Sequence, residues 1–227
     1  MQAIRTLAIA AALLAGAASA QAALVNRGGG MIYDTTQNLT WLADMNYART
    51  SGYDADGQMT WAAAGDWANN LVYGGFSDWR LPTLNSGDTS CSENFNAGGG
   101  FPRQYSGVNC TGGEMSRLFV ADLGNKADES VLNPTGDTAE QIANLALFGN
   151  VQADAYWSGL EYAPLTDYAW YFTTYYGLQS YNFKIRAMYA VAVRPGDVAA
   201  SVPEPQTLAL VLLAFGATVV ARKRRPA

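Results

Sequence analysis

The sequence predicts an α+β domain, because helix-like and strand-like patterns occupy different stretches of the chain. In three stretches between residues 60 and 150, apolar residues recur every three or four positions, which is the spacing of one helix face. From residue 150 onward, short aromatic and β-branched runs are separated by turn residues, which is typical of antiparallel strands. Two or three helices and an antiparallel meander are therefore expected.

Two strands are predicted near the start of the domain. The segment GGGMIYDTTQNLTWLAD contains a strand, a polar turn at Thr35–Asn38 and a second strand or turn around Trp41. A helix is predicted in TWAAAGDWANNL, where Thr60 can act as the N-cap. The apolar face of this helix consists of Trp61, Ala64, Ala68 and Leu71. Beyond it, Pro82 in GGFSDWRLPT prevents a helix and favours an extended segment.

Two further helices are predicted before residue 150. Thr111 and Glu114 have the spacing of a capping box, and Gly124 is a suitable stop for the helix that follows. The apolar stripe of that helix is Met115, Leu118, Phe119 and Leu123. Asp137 is the expected cap of the third helix. Its inward-facing residues are predicted to be Ile142, Leu145 and Ala146.

The last third of the domain predicts a meander of short strands. In DYAWYFTT, alternation places Tyr168, Trp170 and Phe172 on one face of a strand. Ala169 and Tyr171 lie on the other face. The remaining strands are predicted in NVQADAYWSG, QSYNFK and RAMYAVAVRPG. Core packing is the expected role of the aromatic side chains Trp170 and Phe172.

The N-terminal segment has the organisation of a secretory signal peptide. A single base, Arg5, precedes an apolar stretch from Leu7, and small residues follow. We expect cleavage after Ala22, so residues 1–22 are the signal peptide and the chain is exported. The folded domain is then expected to comprise residues 23–198.

The C-terminal segment, residues 199–227, combines an apolar run with a basic end. Thr207–Ala221 contains no charged residue and would span about 22 Å as a helix, against a hydrocarbon core of about 30 Å. Four consecutive bases follow at positions 222–225. By the positive-inside rule these bases stay in the cytoplasm, so everything upstream lies outside. A hydrophobic C-terminal helix in the inner membrane is expected before processing.

The same segment resembles the PEP-CTERM sorting signal of Gram-negative bacteria. The resemblance is carried by Pro203-Glu204-Pro205, the apolar run and the Arg/Lys cluster, in that order. It implies recognition of the motif by an exosortase, a membrane-embedded cysteine protease that removes the tail. The two prolines hold an extended, helix-free segment outside the bilayer, which suits an accessible protease substrate.

Composition limits the partners and the chemistry of the domain. Between residues 23 and 201, nine Lys and Arg residues stand against 18 Asp and Glu residues, a net charge of −9. Such a surface repels nucleic acid and anionic polysaccharide, so neither is expected as a partner. The chain contains no histidine. This excludes Ser-His-Asp and Cys-His catalysis and His-ligated zinc, and leaves carboxylate-only chemistry such as glycoside hydrolysis.

The two cysteines are expected to form a disulfide. Cys91 and Cys110 are the only cysteines in a chain with an export signal, and paired thiols are the simplest state in an oxidising compartment. The bond would close 18 intervening residues rich in Gly, Asn and Ser, and would stabilise the fold by about 3 kcal/mol. A nucleophilic cysteine is the alternative, but it lacks a histidine base.

The middle of the chain resembles Lcl C-terminal-like domains over residues 29–197. The resemblance rests on four motifs in the family's order: GFSDWRLPT, YWSGLEYAP, YAWYF and YAVAVRPG. The Trp-Arg-Leu-Pro-Thr string also resembles the C-type lectin and formylglycine-generating enzyme group, which implies a compact C-type-lectin-like α+β domain. In that fold Arg80 is expected to pair with a carboxylate, while Trp79 and Leu81 face the core.

Two groups of residues are candidate ligand sites. Tyr175, Tyr176 and Tyr181 sit near predicted turns, where a planar ring can stack on a sugar. Asp54 and Asp56 resemble the start of a calcium loop. Met and Gly stand where that loop needs Gly and Glu, so an ordinary Asp/Gly turn without metal is expected and calcium is the alternative.

Taken together, the sequence predicts an exported cell-surface or extracellular-matrix protein with a carbohydrate-binding or structural module. No cofactor is expected, and the expected partners are an exosortase and extracellular polysaccharide. The Lcl resemblance implies glycan binding, and the charge directs that expectation away from anionic glycans. The alternative is a carboxylate-based enzyme acting on glycans.

Overall fold

The structure is a computed structural model that describes residues 24–198 of the 227-residue chain. The strands are β1 (Leu24–Gly28), β2 (Met31–Asp34), β3 (Leu39–Leu42), β4 (Glu93–Phe95), β5 (Gln104–Val108), β6 (Ala155–Glu161), β7 (Tyr168–Thr173), β8 (Leu178–Phe183) and β9 (Val193–Pro195). The helices are α1 (Tyr47–Thr50), α2 (Trp61–Asn69), α3 (Glu114–Ser116) and α4 (Ala139–Leu145), and a π-helical segment, Arg117–Asp122, continues α3. The α+β class is confirmed.

Both terminal segments of the chain lie outside the described residues. The predicted signal peptide, the Pro203-Glu204-Pro205 motif and the predicted hydrophobic C-terminal helix all fall there. Within residues 24–198, none of the helices has the length and apolar character needed to cross a bilayer.

A four-stranded antiparallel sheet joins the two ends of the described chain. Its order is β1-β2-β3-β9, so the first and the last strand form its edges. The predicted pair of strands around a polar turn is confirmed as β2 and β3, and Asn38 in the turn has a φ of 53°. At the far side of the sheet, Trp41 of β3 is paired with Val193 of β9.

The second sheet has five antiparallel strands in the order β4-β5-β8-β7-β6. The meander is confirmed for β6, β7 and β8, with Trp170 opposite Tyr181. Its fourth predicted strand, RAMYAVAVRPG, was wrongly assigned to the meander, because that segment passes along β6 and then pairs with β3 in the other sheet. The stretch from Ala190 to Val193 is buried at every position, so it shows none of the alternation of a one-sided strand.

The core forms on both faces of the second sheet. Alternation along β7 is confirmed, since Trp170 and Phe172 pack in one cluster while Ala169 belongs to the other. In the first cluster, the rings of Phe119 and Phe172 stack with centroids 5.3 Å apart. The second cluster is rich in alanine and contains the buried tryptophans Trp67, Trp79 and Trp157. The part-buried Trp61 packs against it.

Helix α2 agrees closely with its prediction. The side chain of Thr60 accepts a hydrogen bond from the N–H of Ala63, as an N-cap does. Ala64 and Ala68 are buried, and Trp67 adds to the buried face. The helix therefore lies on the second core cluster with its opposite face toward solvent.

The predicted capping box at Thr111 and Glu114 is wrong. The N-cap of α3 is Gly113, which has no side chain to make a capping hydrogen bond. The Glu114 carboxylate does not reach back to Thr111 but pairs with Arg80. The apolar stripe is nevertheless confirmed, and its four residues are completely buried: Met115, Leu118, Phe119 and Leu123. Gly124 ends the segment with a φ of 77°.

Helix α4 is present, but its cap and its inward face differ from the prediction. Thr138, rather than Asp137, is the N-cap, and it forms a capping box with Gln141. Ile142 and Ala146 are exposed rather than inward-facing. Leu145 is partly buried against the first core cluster, as predicted. The buried side chain of α4 is that of Asn144, whose amide donates to the backbone carbonyl of Asp122 at 3.0 Å.

The predicted disulfide between Cys91 and Cys110 is confirmed. The carboxylate of Asp88 anchors the base of the disulfide-bonded loop by accepting hydrogen bonds from the N–H groups of Ser90, Thr111 and Gly112. A loop rich in Gly, Asn and Ser is thus fixed by one covalent bond and one buried acceptor.

Asp122, at the end of the π-helical segment, is a buried acid with incomplete compensation. Its Oδ2 atom has no hydrogen-bond partner among the described residues, and Arg117 lies 3.9 Å from Oδ1. Burial, together with the nearby charges of Asp34 and Glu140, raises the pKa of Asp122 to about 6, although Arg117 opposes the shift. The protonated carboxyl is therefore the form that the fold accommodates.

We predict that Asp122→Asn makes the protein more stable at pH 8 than the native chain. The folded-state pKa exceeds the unfolded one, so the stabilisation from the protonated acid is complete below about pH 4 and is lost as the pH rises through 6. Urea unfolding at pH 4, 6 and 8 should show a difference that grows with pH to about 2 kcal/mol. Asp128→Asn, at an exposed acid, is the control, and parallel curves for the Asp122 variant and the native chain would contradict the assignment.

Candidate functional site

A groove lies between helix α2, the extended segment 80–83 and strand β6. Its volume is about 450 Å³. The residues that line it are Trp61, Ala62, Gly65, Asp66, Asn69, Arg80, Leu81, Thr83 and Gly159. Apolar walls with a few polar groups are typical of small-molecule sites.

The wall formed by segment 80–83 is fixed by backbone pairing to both sheets. The N–H and the carbonyl of Arg80 pair with Val193, at 2.8 and 2.9 Å. Two residues on, the carbonyl of Pro82 accepts from the N–H of Gly159 in β6, at 2.8 Å. Leu81 between them is buried. Because the segment is held from both sides, its polar side chains have defined positions.

An ion pair between Arg80 and Glu114 locks the same wall. Two N–H groups of Arg80 donate to the two carboxylate oxygens of Glu114, at 2.8 and 2.7 Å, and the N–H of Thr83 donates to the same carboxylate at 2.8 Å. The side chains of Arg80 and Glu114 retain 36% and 19% of their exposure. The prediction that Arg80 pairs with a carboxylate while Trp79 and Leu81 face the core is confirmed.

This pairing sets the charge states of both groups. Burial alone would raise the pKa of Glu114, but the hydrogen bonds and charge of Arg80 and the N–H of Thr83 outweigh it, so the pKa lies below its usual value. The hydrogen bonds to Glu114 also raise the pKa of Arg80. Glu114 is therefore an anion whose charge is already neutralised.

The opposite wall presents the indole of Trp61. Its Nε1–H donates to the carbonyl of Ser158 at 2.7 Å, which fixes the ring. The ammonium of Lys184 lies 4.3 Å from the ring centroid and also pairs with Glu161. The ring is thus rigid, and it already holds one cation over its π-system.

Small residues keep the groove open. Gly65 lies in the middle of α2, where a Cβ atom would meet no atom within 4 Å. Glycine in a helix costs about 1 kcal/mol relative to alanine, and nothing in the packing requires it here. At Gly159 in β6, a Cβ atom would be in ordinary van der Waals contact with the carbonyl oxygen of Leu81, at 3.4 Å.

Two polar side chains on α2 point to solvent at the groove without a partner of their own. Asp66 and Asn69 are exposed, and neither side chain has a hydrogen bond or an ion pair within residues 24–198. A carboxylate and an amide are therefore free to bind a ligand.

The three tyrosines predicted as a sugar-binding group lie in two different places. Tyr175 and Tyr176 are both 49% exposed in the β7–β8 turn, with their rings perpendicular and 4.6 Å apart. Tyr181 stacks on Tyr162 with centroids 4.1 Å apart, so one face of its ring is covered. A role for the exposed pair in binding is still a prediction.

Asp54 and Asp56 lie in an Asp/Gly turn before α2. One oxygen of Asp54 accepts hydrogen bonds from the N–H groups of Asp56 and Gly57, at 3.1 and 2.8 Å. This is the local geometry of an Asx turn. Elsewhere in the described chain, Asp88 approaches both cysteines, but their sulfurs are joined in the disulfide and offer no thiolate to a metal.

No pattern in the sequence predicts the groove. Trp61 was assigned only to an apolar helix face, and Asp66, Asn69 and Gly65 were given no role. Their side chains come together with Arg80 only through the packing of α2 on segment 80–83. The one available signal was Gly65, a glycine in the middle of a helical pattern.

Residues 30–194 match the Lcl C-terminal domain family, and the chain belongs to that family. The match includes every residue that lines the groove. The chain has no significant match among curated proteins or among solved structures.

We predict that Arg80→Ala destabilises the protein by about 2 kcal/mol, because it leaves the half-buried Glu114 carboxylate without its basic partner, while solvent at Arg80 screens part of the interaction. Since the pKa of Glu114 is lowered, the contribution of the pair is complete above about pH 4.3 and is lost as the pH falls further. A double-mutant cycle with Glu114→Ala, measured by urea unfolding at pH 7, should give a coupling energy above about 1 kcal/mol. Arg186→Ala, at an exposed base, is the control, and additive single effects would refute the coupling.

Proposed function

We propose that this chain is an exported cell-surface or extracellular-matrix protein whose Lcl domain binds carbohydrate in the groove beside α2. The observation that carries the proposal is the groove itself. The rigid indole of Trp61 offers apolar surface to a sugar ring, while Asp66, Asn69 and Arg80 offer hydrogen-bonding groups to its hydroxyls. The site is built on a helix and two sheets, which favours a preformed binding surface.

Export and tail processing form the second part of the proposal. The signal-peptide pattern, the disulfide and the Pro-Glu-Pro tail agree with one another, since disulfides form in oxidising compartments. The tail is taken as a PEP-CTERM signal that holds the precursor at the inner membrane until an exosortase removes it. We also propose a C-type-lectin-like arrangement, on the strength of two antiparallel sheets with packed helices.

Binding is favoured over hydrolysis by the state of the carboxylates. A glycosidase needs two carboxyl groups facing one cleft, one of them with a raised pKa to act as the acid. Beside the groove, the pKa of Glu114 is lowered by its Arg80 partner, which is the opposite of what a general acid requires. Asp66 is then the carboxylate that lines the groove, and no second carboxyl group of the described chain faces it there to act as the general acid.

We predict that filling the groove abolishes glycan binding without loss of the fold. Gly65→Gln places a side chain in open space, and Gly65→Ala is the matched control with the same backbone restriction. Alanine should raise stability by up to about 1 kcal/mol and retain binding, whereas glutamine should weaken binding at least tenfold. Binding is measured on a glycan array, with a sugar-release assay on the host's exopolysaccharide in parallel.

Equal binding by the two Gly65 variants would place the site elsewhere, with Tyr175 and Tyr176 as the next candidates. Release of sugar with turnover would instead favour the carboxylate-based enzyme.

For the tail, we predict that Glu204→Ala leaves export intact but traps the full-length, membrane-bound chain. A protease that reads the motif needs the carboxylate between Pro203 and Pro205, whereas a plain anchor needs only apolar length and basic residues. Immunoblots of membrane and released fractions report the size of the chain. Processing of the variant at the native rate would mean that Glu204 is not recognised.

A further inference from the structure

The charges of the domain are paired very unequally. Six of the nine bases in residues 24–198 lie in ion pairs. The three bases in this range without an acidic partner are Arg49, Arg103 and Arg186. Of the 18 acids in the same residues, twelve have no basic partner within ion-pair distance. Most of the positive charges are thus neutralised by neighbouring acids. The electrostatic potential around the domain is therefore negative and comes from the unpaired carboxylates.

The groove repeats this imbalance at short range. Arg80 is neutralised by Glu114, and Lys184, over the Trp61 ring, is neutralised by Glu161. Asp66 is the lining residue whose charge has no counterpart within the described chain. The uncompensated charge of the groove is therefore a single negative one, next to an indole that already attracts a cation.

From this charge arrangement we infer that the ligand of the groove is an amino-glycan, a polymer of hexosamine units with free, protonated amines. The inference rests on the proposed glycan binding and adds the chemical class. An ammonium group pairs with Asp66, the ring hydroxyls bind Asn69, and the apolar face of the sugar lies against Trp61. Further ammonium groups along the polymer are attracted by the unpaired acids of the surface.

An N-acetylated hexosamine has no such charge. Its acetamido N–H can donate a neutral hydrogen bond to Asp66 but forms no ion pair with it, and the neutral sugar gains nothing from the acidic surface. A cationic peptide offers ammonium groups as well, but it lacks the rigid hydroxyl-bearing ring that a groove with a free amide and a flat indole accommodates. Discrimination between these three ligands therefore reports directly on the assignment.

The test is isothermal titration calorimetry of the purified protein, as recovered from the expressing cell, at pH 6. The probes are β-1,4-linked hexamers of glucosamine, of N-acetylglucosamine and of glucose, with a lysine hexamer as the peptide probe. We expect the glucosamine hexamer to bind at least tenfold more tightly than the other three, and to lose most of that preference at 0.5 M salt.

Asp66→Asn should reduce the preference to within about threefold, while Glu93→Gln, which removes an exposed charge outside the groove, should retain it. Equal binding of the glucosamine and neutral hexamers would overturn the amino-glycan inference and leave glycan binding standing. A lysine hexamer that binds as tightly as glucosamine would overturn it in favour of a cationic protein partner. If none of the sugars binds, both the inference and the proposed function fail.

Discussion

The ion pair between Arg80 and Glu114 is the interaction on which the arrangement around the groove depends. The backbone of Arg80 pairs with Val193 of the first sheet, and two residues later Pro82 pairs with Gly159 of the second sheet. The side chain of Arg80 then reaches Glu114 at the start of α3, 34 residues away in sequence. One short extended segment thus joins both sheets to the helical layer. A bidentate guanidinium–carboxylate pair suits this junction because it fixes direction as well as distance.

The same interaction determines what the groove can do. With Glu114 held as a neutralised anion, the wall of segment 80–83 contributes shape and hydrogen-bond donors rather than a net charge. The chemical character of the groove then depends on α2, which supplies the indole of Trp61, the free carboxylate of Asp66 and the space above Gly65. A glycine that weakens its helix without a steric need is consistent with a site maintained at some cost in stability.

Local patterns predicted local structure well, and they failed where a distant partner intervened. Thr60 caps α2 as predicted, because its hydrogen-bond partner, the N–H of Ala63, is only three residues away in the sequence. Glu114 had the spacing of a capping box, but Arg80 binds it more strongly, and no local pattern contains that partner. Periodicity alone places Ile142 in the core, but Ile142 is exposed, and α4 contacts the fold through Leu145 and the buried amide of Asn144. The groove escaped prediction for the same reason, since its walls come from three separate parts of the chain.

The most direct measurement of the central claim is a ¹H–¹⁵N NMR titration of the protein with the glucosamine hexamer. If the groove beside α2 is the binding site, chemical-shift changes will concentrate in the amides of Trp61–Asn69, in Arg80 and Thr83, and in Gly159. The side-chain Nε–H signal of Arg80 should also shift, while its ion pair with Glu114 is retained. Shift changes confined to the turn at Tyr175 and Tyr176, with the amides of α2 unaffected, would contradict the account.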